Sequence, residues 1–74
     1  MIEELQRVAL AVDLPEEGLK RGDVGTVVMI YEEGRGFEVE FVTFSGATVA
    51  VVTLEASQVR ALGDREIAAA RAVA

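Results

Sequence analysis

Residues 37–42 read Phe-Glu-Val-Glu-Phe-Val, with Phe37, Val39 and Phe41 at one parity and Glu38 and Glu40 at the other. Side chains alternate across a strand, so this run places three large apolar groups on one face and two carboxylates on the opposite one. One face is core and one is water, and the rest of the chain must cover that apolar face.

Working back from this strand, Glu32-Glu33-Gly34-Arg35 is polar and holds a glycine for a left-handed position, which predicts a hairpin connection. The run before it, Gly25 to Tyr31 (GTVVMIY), is almost continuously apolar and predicts a strand with both faces at least partly covered. Gly22-Asp23-Val24-Gly25 supplies tight-turn chemistry, with two glycines and an Asp able to bond nearby backbone. The stretch from Leu14 to Gly22 carries the only Pro and four charges and reads as an irregular excursion, pinned by Leu14 and Leu19 tucking under it. Arg7 to Asp13 (RVALAVD) alternates Val8, Leu10 and Val12 and gives the first strand.

Working forward, Thr43-Phe44-Ser45-Gly46 makes a turn, and Ala47 to Leu54 returns as a β-branched strand. Glu55 to Gln58 suits one 3₁₀ turn, and Val59 to Leu62 a brief last strand. Asp64 can cap a helix running to Val73, where Ile67, Ala70 or Arg71, and Ala74 fall at helical spacing. That stripe fits packing on the domain or pairing with another chain. Strand, long loop, three-strand meander, 3₁₀ turn and closing strand is the order of a mainly β, five-stranded SH3-like barrel, here with a short C-terminal helix. Closure manages the edges of so small a sheet. An OB-like barrel would want a helix between the third and fourth strands, where none fits. The expected division is residues 1–63 as the barrel and 64–74 as a helical tail.

Composition narrows the function classes. A chain of 74 residues has room for one core and no separate catalytic domain. Cysteine and histidine are both absent, which excludes zinc of the usual type and a base-activated Ser or Cys nucleophile. Ser45 and Ser57 read as turn residues. The acidic start Met1-Ile2-Glu3-Glu4 is unlike a secretory leader, and no long uncharged run follows, so the cytoplasm is the expected location, away from membranes. Seven basic against thirteen acidic residues give a net charge of −6, the wrong sign for affinity gained by neutralising phosphates.

Glu38 and Glu40 stand about 7 Å apart along the strand, the separation at which two carboxylates can share acid and base work. No sugar platform or lid accompanies them, and the solvated-face reading prevails. With Glu32 and Glu33 they make an acidic patch suited to a basic partner or a weakly held divalent ion, or to keeping the protein in solution. Gly34-Arg35-Gly36 lacks the following helix of a phosphate loop and is a hairpin turn. Lys20, Arg21, Arg7 and Arg60 form the only candidate basic edge, with no aromatic to stack on a base. Tyr31 and Phe44 alone do not make a groove for proline-rich peptides.

Two resemblances add to this. The stretch Leu14-Pro15-Glu16-Glu17-Gly18-Leu19-Lys20-Arg21-Gly22-Asp23-Val24-Gly25-Thr26-Val27-Val28 resembles a bacterial family called domain of unknown function 4926. Tyr31-Glu32, Phe37 to Phe41, Thr53-Leu54-Glu55 and Gln58-Val59-Arg60 continue the likeness in order, over about Val8 to Leu62. It implies no activity. Gly22-Asp23-Val24-Gly25-Thr26-Val27 is similar to the glycine turn of KOW-type elements, a turn that any SH3-like barrel needs at this point.

The expectation is therefore a non-enzymatic protein-interaction module without cofactor, catalytic residue or metal. A specific version is an inhibitor or antitoxin that covers a basic active site. Its expected partner-binding residues are Leu14, Leu19, Glu32, Glu33, Glu38, Glu40 and Phe44. The partner's identity is open, as is homo-oligomerisation. The alternative is a KOW-like RNA- or ribosome-associated module using Lys20, Arg21 and Arg60.

Overall fold

The computed structural model describes residues 2–73. Its elements are β1 (Arg7–Leu10), a 3₁₀ turn (Pro15–Glu17), β2 (Val24–Tyr31), a second 3₁₀ turn (Glu32–Gly34), β3 (Gly36–Val42), β4 (Thr48–Glu55), a third 3₁₀ turn (Ala56–Gln58) and β5 (Val59–Ala61). All five strands join one antiparallel sheet in the order β4-β3-β2-β1-β5. Among the described residues no ladder joins β4 to β5, so the sheet is open.

The alternation in β3 places the core as expected: Phe37, Val39 and Phe41 are buried while Glu38 and Glu40 lie on the other face. Val8, Leu10, Val27, Leu54 and Val59 join the same cluster, with Leu19 from the long loop. Leu54 and Val59 come from strands at opposite ends of the sheet order, yet they share this cluster. The sheet therefore curves around its own apolar face, and Ala56–Gln58 is all that separates its two edge strands in sequence. Gln58 secures that corner. Its side chain accepts from Glu55 N–H (2.8 Å), its own N–H is capped by the Glu55 side chain, and its carbonyl accepts from Ala11 N–H (2.8 Å).

Two register shifts adjust the faces. Val27 pairs with Val39 and Met29 with Glu38, which leaves Val28 as the extra residue of a bulge. A second shift falls between Phe41 and Val42 opposite Ala50 and Thr48. Gly25 lies where β3 leaves no room for a side chain on β2. A Cβ there would sit 2.6 Å from Val39 Cγ1, 2.8 Å from Phe41 Cε2 and 2.9 Å from the Glu40 carbonyl oxygen.

The long loop is an ordered excursion. Leu14 and Leu19 form a bridge, and Asp13 Oδ1 and Asp23 Oδ2 accept from Arg21 N–H and Lys20 N–H, both at 2.8 Å. The tail corrects the helix expected from Asp64: residues 64–73 contain no helix, and Ala74 lies outside the described residues. An alanine-rich segment this short is a marginal helix in water. Here its polar groups find better partners. Glu66 turns back to accept from Gly63 N–H (2.6 Å) and Arg60 (2.8 Å), and Arg71 reaches Asp23.

Candidate functional site

Outer-face positions of β2, β3 and β4 follow from the register. Met29 is opposite Glu38, Glu38 opposite Thr53, and Glu40 lies between Thr26 and Val51. Both carboxylates are tied to hydroxyls of neighbouring strands. Glu38 Oε1 accepts from Thr53 Oγ1 at 2.6 Å and from Tyr31 Oη at 3.2 Å, and Glu40 Oε2 accepts from Thr48 Oγ1 at 2.9 Å. Desolvation, and then the Glu38 charge, raise the Tyr31 phenol above its ordinary value, so it stays a donor. Exposed Met29, Val42 and Val51 share this face with the two carboxylates. Phe44, at the tip of the β3–β4 turn, is 98% exposed. A phenyl ring offered almost wholly to water at a hairpin tip contributes nothing to the core and is free to meet another surface.

The expected site residues separate into three groups. Glu38, Glu40 and Phe44 belong to the outer face and its adjoining turn. Glu32 and Glu33 follow the end of β2, both with positive φ (46° and 58°), the left-handed region that glutamate seldom occupies. Leu14 is half-buried against the core and Leu19 is 3% exposed, so Leu19 serves the interior and presents nothing to a partner. Its burial was legible as loop-pinning. What the sequence did not reveal is that this use removes it from the surface. Among the described residues no three carboxylates converge on a metal-sized site.

The candidate basic edge is not assembled. Arg60 is engaged with Glu66, and Arg7 and Leu10 are opposite ends of β1, with the Lys20–Arg21 loop joined to the Leu10 end through Gly22 N–H to Leu10 O (2.9 Å).

Sequence reasoning missed the tail's anchor. Arg71 donates Nε to Asp23 Oδ1 (2.9 Å) and Nη2 to Asp23 Oδ2 (2.5 Å), with a further bond to the Gly18 carbonyl (3.0 Å). The fork lowers the Asp23 carboxyl below its ordinary value. Ala9 lies between the two anchors in the register: it pairs with Arg60, which holds Glu66, and with Val24, next to Asp23. Ala9 is buried although it points away from the core cluster. The available signal was an arginine, Arg71, set among the alanines that end the chain.

No helix among the described residues is long and apolar enough to cross a membrane. No curated protein and no solved structure matches this chain. The match of residues 4–61 to one family model, beginning before β1 and ending with β5, covers the whole sheet and stops short of the tail; the chain belongs to the family described as Domain of unknown function (DUF4926).

Proposed function

We infer that this protein is a non-enzymatic interaction module, a small SH3-like barrel that binds a protein partner through the outer face of β2, β3 and β4 and the Phe44 turn. The strand order β4-β3-β2-β1-β5, with a single 3₁₀ turn between β4 and β5, supports the SH3-like reading. The observation that carries the interaction reading is the fully offered Phe44 beside a face where Met29, Val42 and Val51 surround two hydroxyl-bonded carboxylates. Aromatic and apolar anchors with fixed polar groups between them are the composition of a binding surface.

Glu38 and Glu40, with a net charge of −6, fit a partner whose contacting surface is basic. A basic active site covered by an inhibitor or antitoxin is one such surface. The commitment of Arg60 to Glu66 takes away one of the three cations on which an RNA-binding alternative depends.

The test is recovery from native lysate with three baits: the whole chain, Phe44→Ser, and Glu38→Gln with Glu40→Gln. A stoichiometric protein retained by the first and lost by both variants is the expected result. RNA recovered instead, and released steeply by salt, overturns the reading.

A further inference from the structure

The same face ends at β4, and that edge has no partner among the described residues. The direction of its backbone groups follows from its last residues. Ala56 N–H donates across to the Arg35 carbonyl (3.1 Å), whereas Glu55 N–H is turned the other way, to Gln58 Oε1 (2.8 Å). An antiparallel strand alternates these directions with period two, so the amides of Thr53 and Val51 face the open edge. Nothing charged lies between Thr48 and Glu55, and Val49 to Val52 are all apolar. Such an edge is a template for another strand.

The edge opens onto a cleft of about 310 Å³ lined by Val52, Thr53 and Leu54 on one side and by Leu14, Pro15, Glu16 and Glu17 on the other. Glu16 and Glu17 are exposed, and among the described residues neither has a side-chain hydrogen bond or a cation partner. The two features select the occupant together. Unpaired amides of an apolar strand ask for an extended backbone, and the acidic far wall asks for positive side chains on it. A second copy of this chain meets the first requirement and fails the second, since it brings the same acidic loop and the same net charge of −6.

We propose that β4 receives an extended, lysine- or arginine-rich segment of a partner protein as a sixth strand, seated in the cleft between β4 and the Pro15–Glu17 turn. The proposal rests on the interaction reading and names the contact's geometry and the partner's chemistry. Backbone pairing with β4 supplies binding that tolerates many sequences, and alternate side chains meeting Glu16 and Glu17 supply the preference for basic ones.

The probe is an acetylated, amidated heptapeptide that alternates lysine with valine, added to the ¹⁵N-labelled full chain. The expected result is slowed hydrogen exchange and shifted resonances at Val51 and Thr53, with smaller shifts in residues 14–17. Binding weakens as salt rises from about 50 to about 300 mM. It falls about fivefold in Glu16→Gln with Glu17→Gln. A peptide in which glutamate replaces lysine, or in which alternate backbone nitrogens are methylated, does not bind. This last control leaves the protein unaltered and so is independent of whether any variant folds.

Shifts confined to Met29, Glu38 and Phe44 would overturn the edge proposal and leave the interaction reading standing. Protection of Val51 and Thr53 that grows with protein concentration without peptide would overturn it in favour of self-pairing. Absence of any shift also overturns it, and the lysate result then decides the broader reading separately.

Discussion

β5 ends the sheet with three residues, one of them Arg60 bonded to Glu66, and the chain beyond it is held against the domain by Arg71. β4 ends the sheet on the other side with eight residues and no charge between Thr48 and Glu55. Shortness and a mid-strand charge are two of the usual means of blunting an edge, and β5 has both, whereas β4 is long and bears its one charge, Glu55, only at its last residue. One edge is short and interrupted by a charge. The other is left for something else, and the two can be perturbed separately.

The largest effect comes from breaking what holds the edges in one sheet. Gly25 joins them: it pairs with Val8 on the β1–β5 side, and its Cα lies against Val39, Phe41 and the Glu40 carbonyl on the β3–β4 side. Gly25→Ala forces a methyl into contacts under 3.0 Å, one of them with backbone that cannot rotate away. The expected cost is about 3 kcal/mol. Thermal unfolding followed by circular dichroism should fall by roughly 10 °C or more. An unchanged midpoint would mean that β1 and β5 do not depend on close approach to β3.

The tail beyond the short edge can be released by acid or by mutation. Asp23 has its carboxyl lowered chiefly by the Arg71 hydrogen bond, against an ordinary value of 3.8. A lowered carboxyl contributes above its ordinary value and loses that contribution as pH falls through the lowered one, so the tail stays tied at neutral pH and is released only in acid beyond the ordinary value of 3.8, once Asp23 takes up its proton. Arg71→Ala should reproduce the acid state at pH 7. The measurement is the heteronuclear NOE of residues 66–73, which drops in the variant at all pH values and in the natural sequence only in acid. Exchange at Arg60 and Ala9 should quicken with it, while β4 remains unaffected.

These contrasts show which features were legible beforehand. Alternation in Phe37 to Val42 located the core face because one parity was purely apolar and the other acidic. The 3₁₀ turn before Val59 was legible because Glu55 to Gln58 is a short, helix-tolerant stretch between two strands, although the Glu55–Gln58 capping box that fixes it was not. The bulge at Val28 was not, since an unbroken run of apolar residues gives no parity to follow. The tail misled for a different reason. Helix propensity is local, and the groups that outcompeted it, Asp23 and the Gly18 carbonyl, lie 48 and 53 residues away in sequence. The acidic patch divided likewise: Glu38 and Glu40 share a face by parity, whereas the placement of Glu32 and Glu33 depends on turn geometry that their composition does not encode.

The turns show a smaller version of the same difference. The β1–β2 loop gives its left-handed positions to Gly18 and Gly22, while the β2–β3 turn gives two of its three to Glu32 and Glu33. Crowding of Cβ against the carbonyl makes that placement unfavourable. Glu33→Asn should therefore stabilise the domain by roughly 0.5–1 kcal/mol. The gain would appear as a higher denaturant midpoint with an unchanged slope. A loss would mean that the Glu33 carboxylate makes a compensating contact in solution.

The smallest effect on stability should accompany the clearest effect on the open edge. Val51 is half exposed on the outer face, and its amide is directed to the edge, so Val51→Lys places a cation where a neighbouring strand would lie. The inner cluster does not include Val51, and a change at an exposed strand position stays within about 0.5 kcal/mol. Any tendency of the protein to associate through β4 should fall, because a lysine on an edge disfavours pairing with another edge bearing the same lysine. Sedimentation velocity over a concentration series reads this directly, and the matching substitution on the other edge, Ala61→Lys, should leave the profile as it was. If both substitutions act alike, the edges are equivalent in solution and the asymmetry between a short and a long edge strand has no consequence for association.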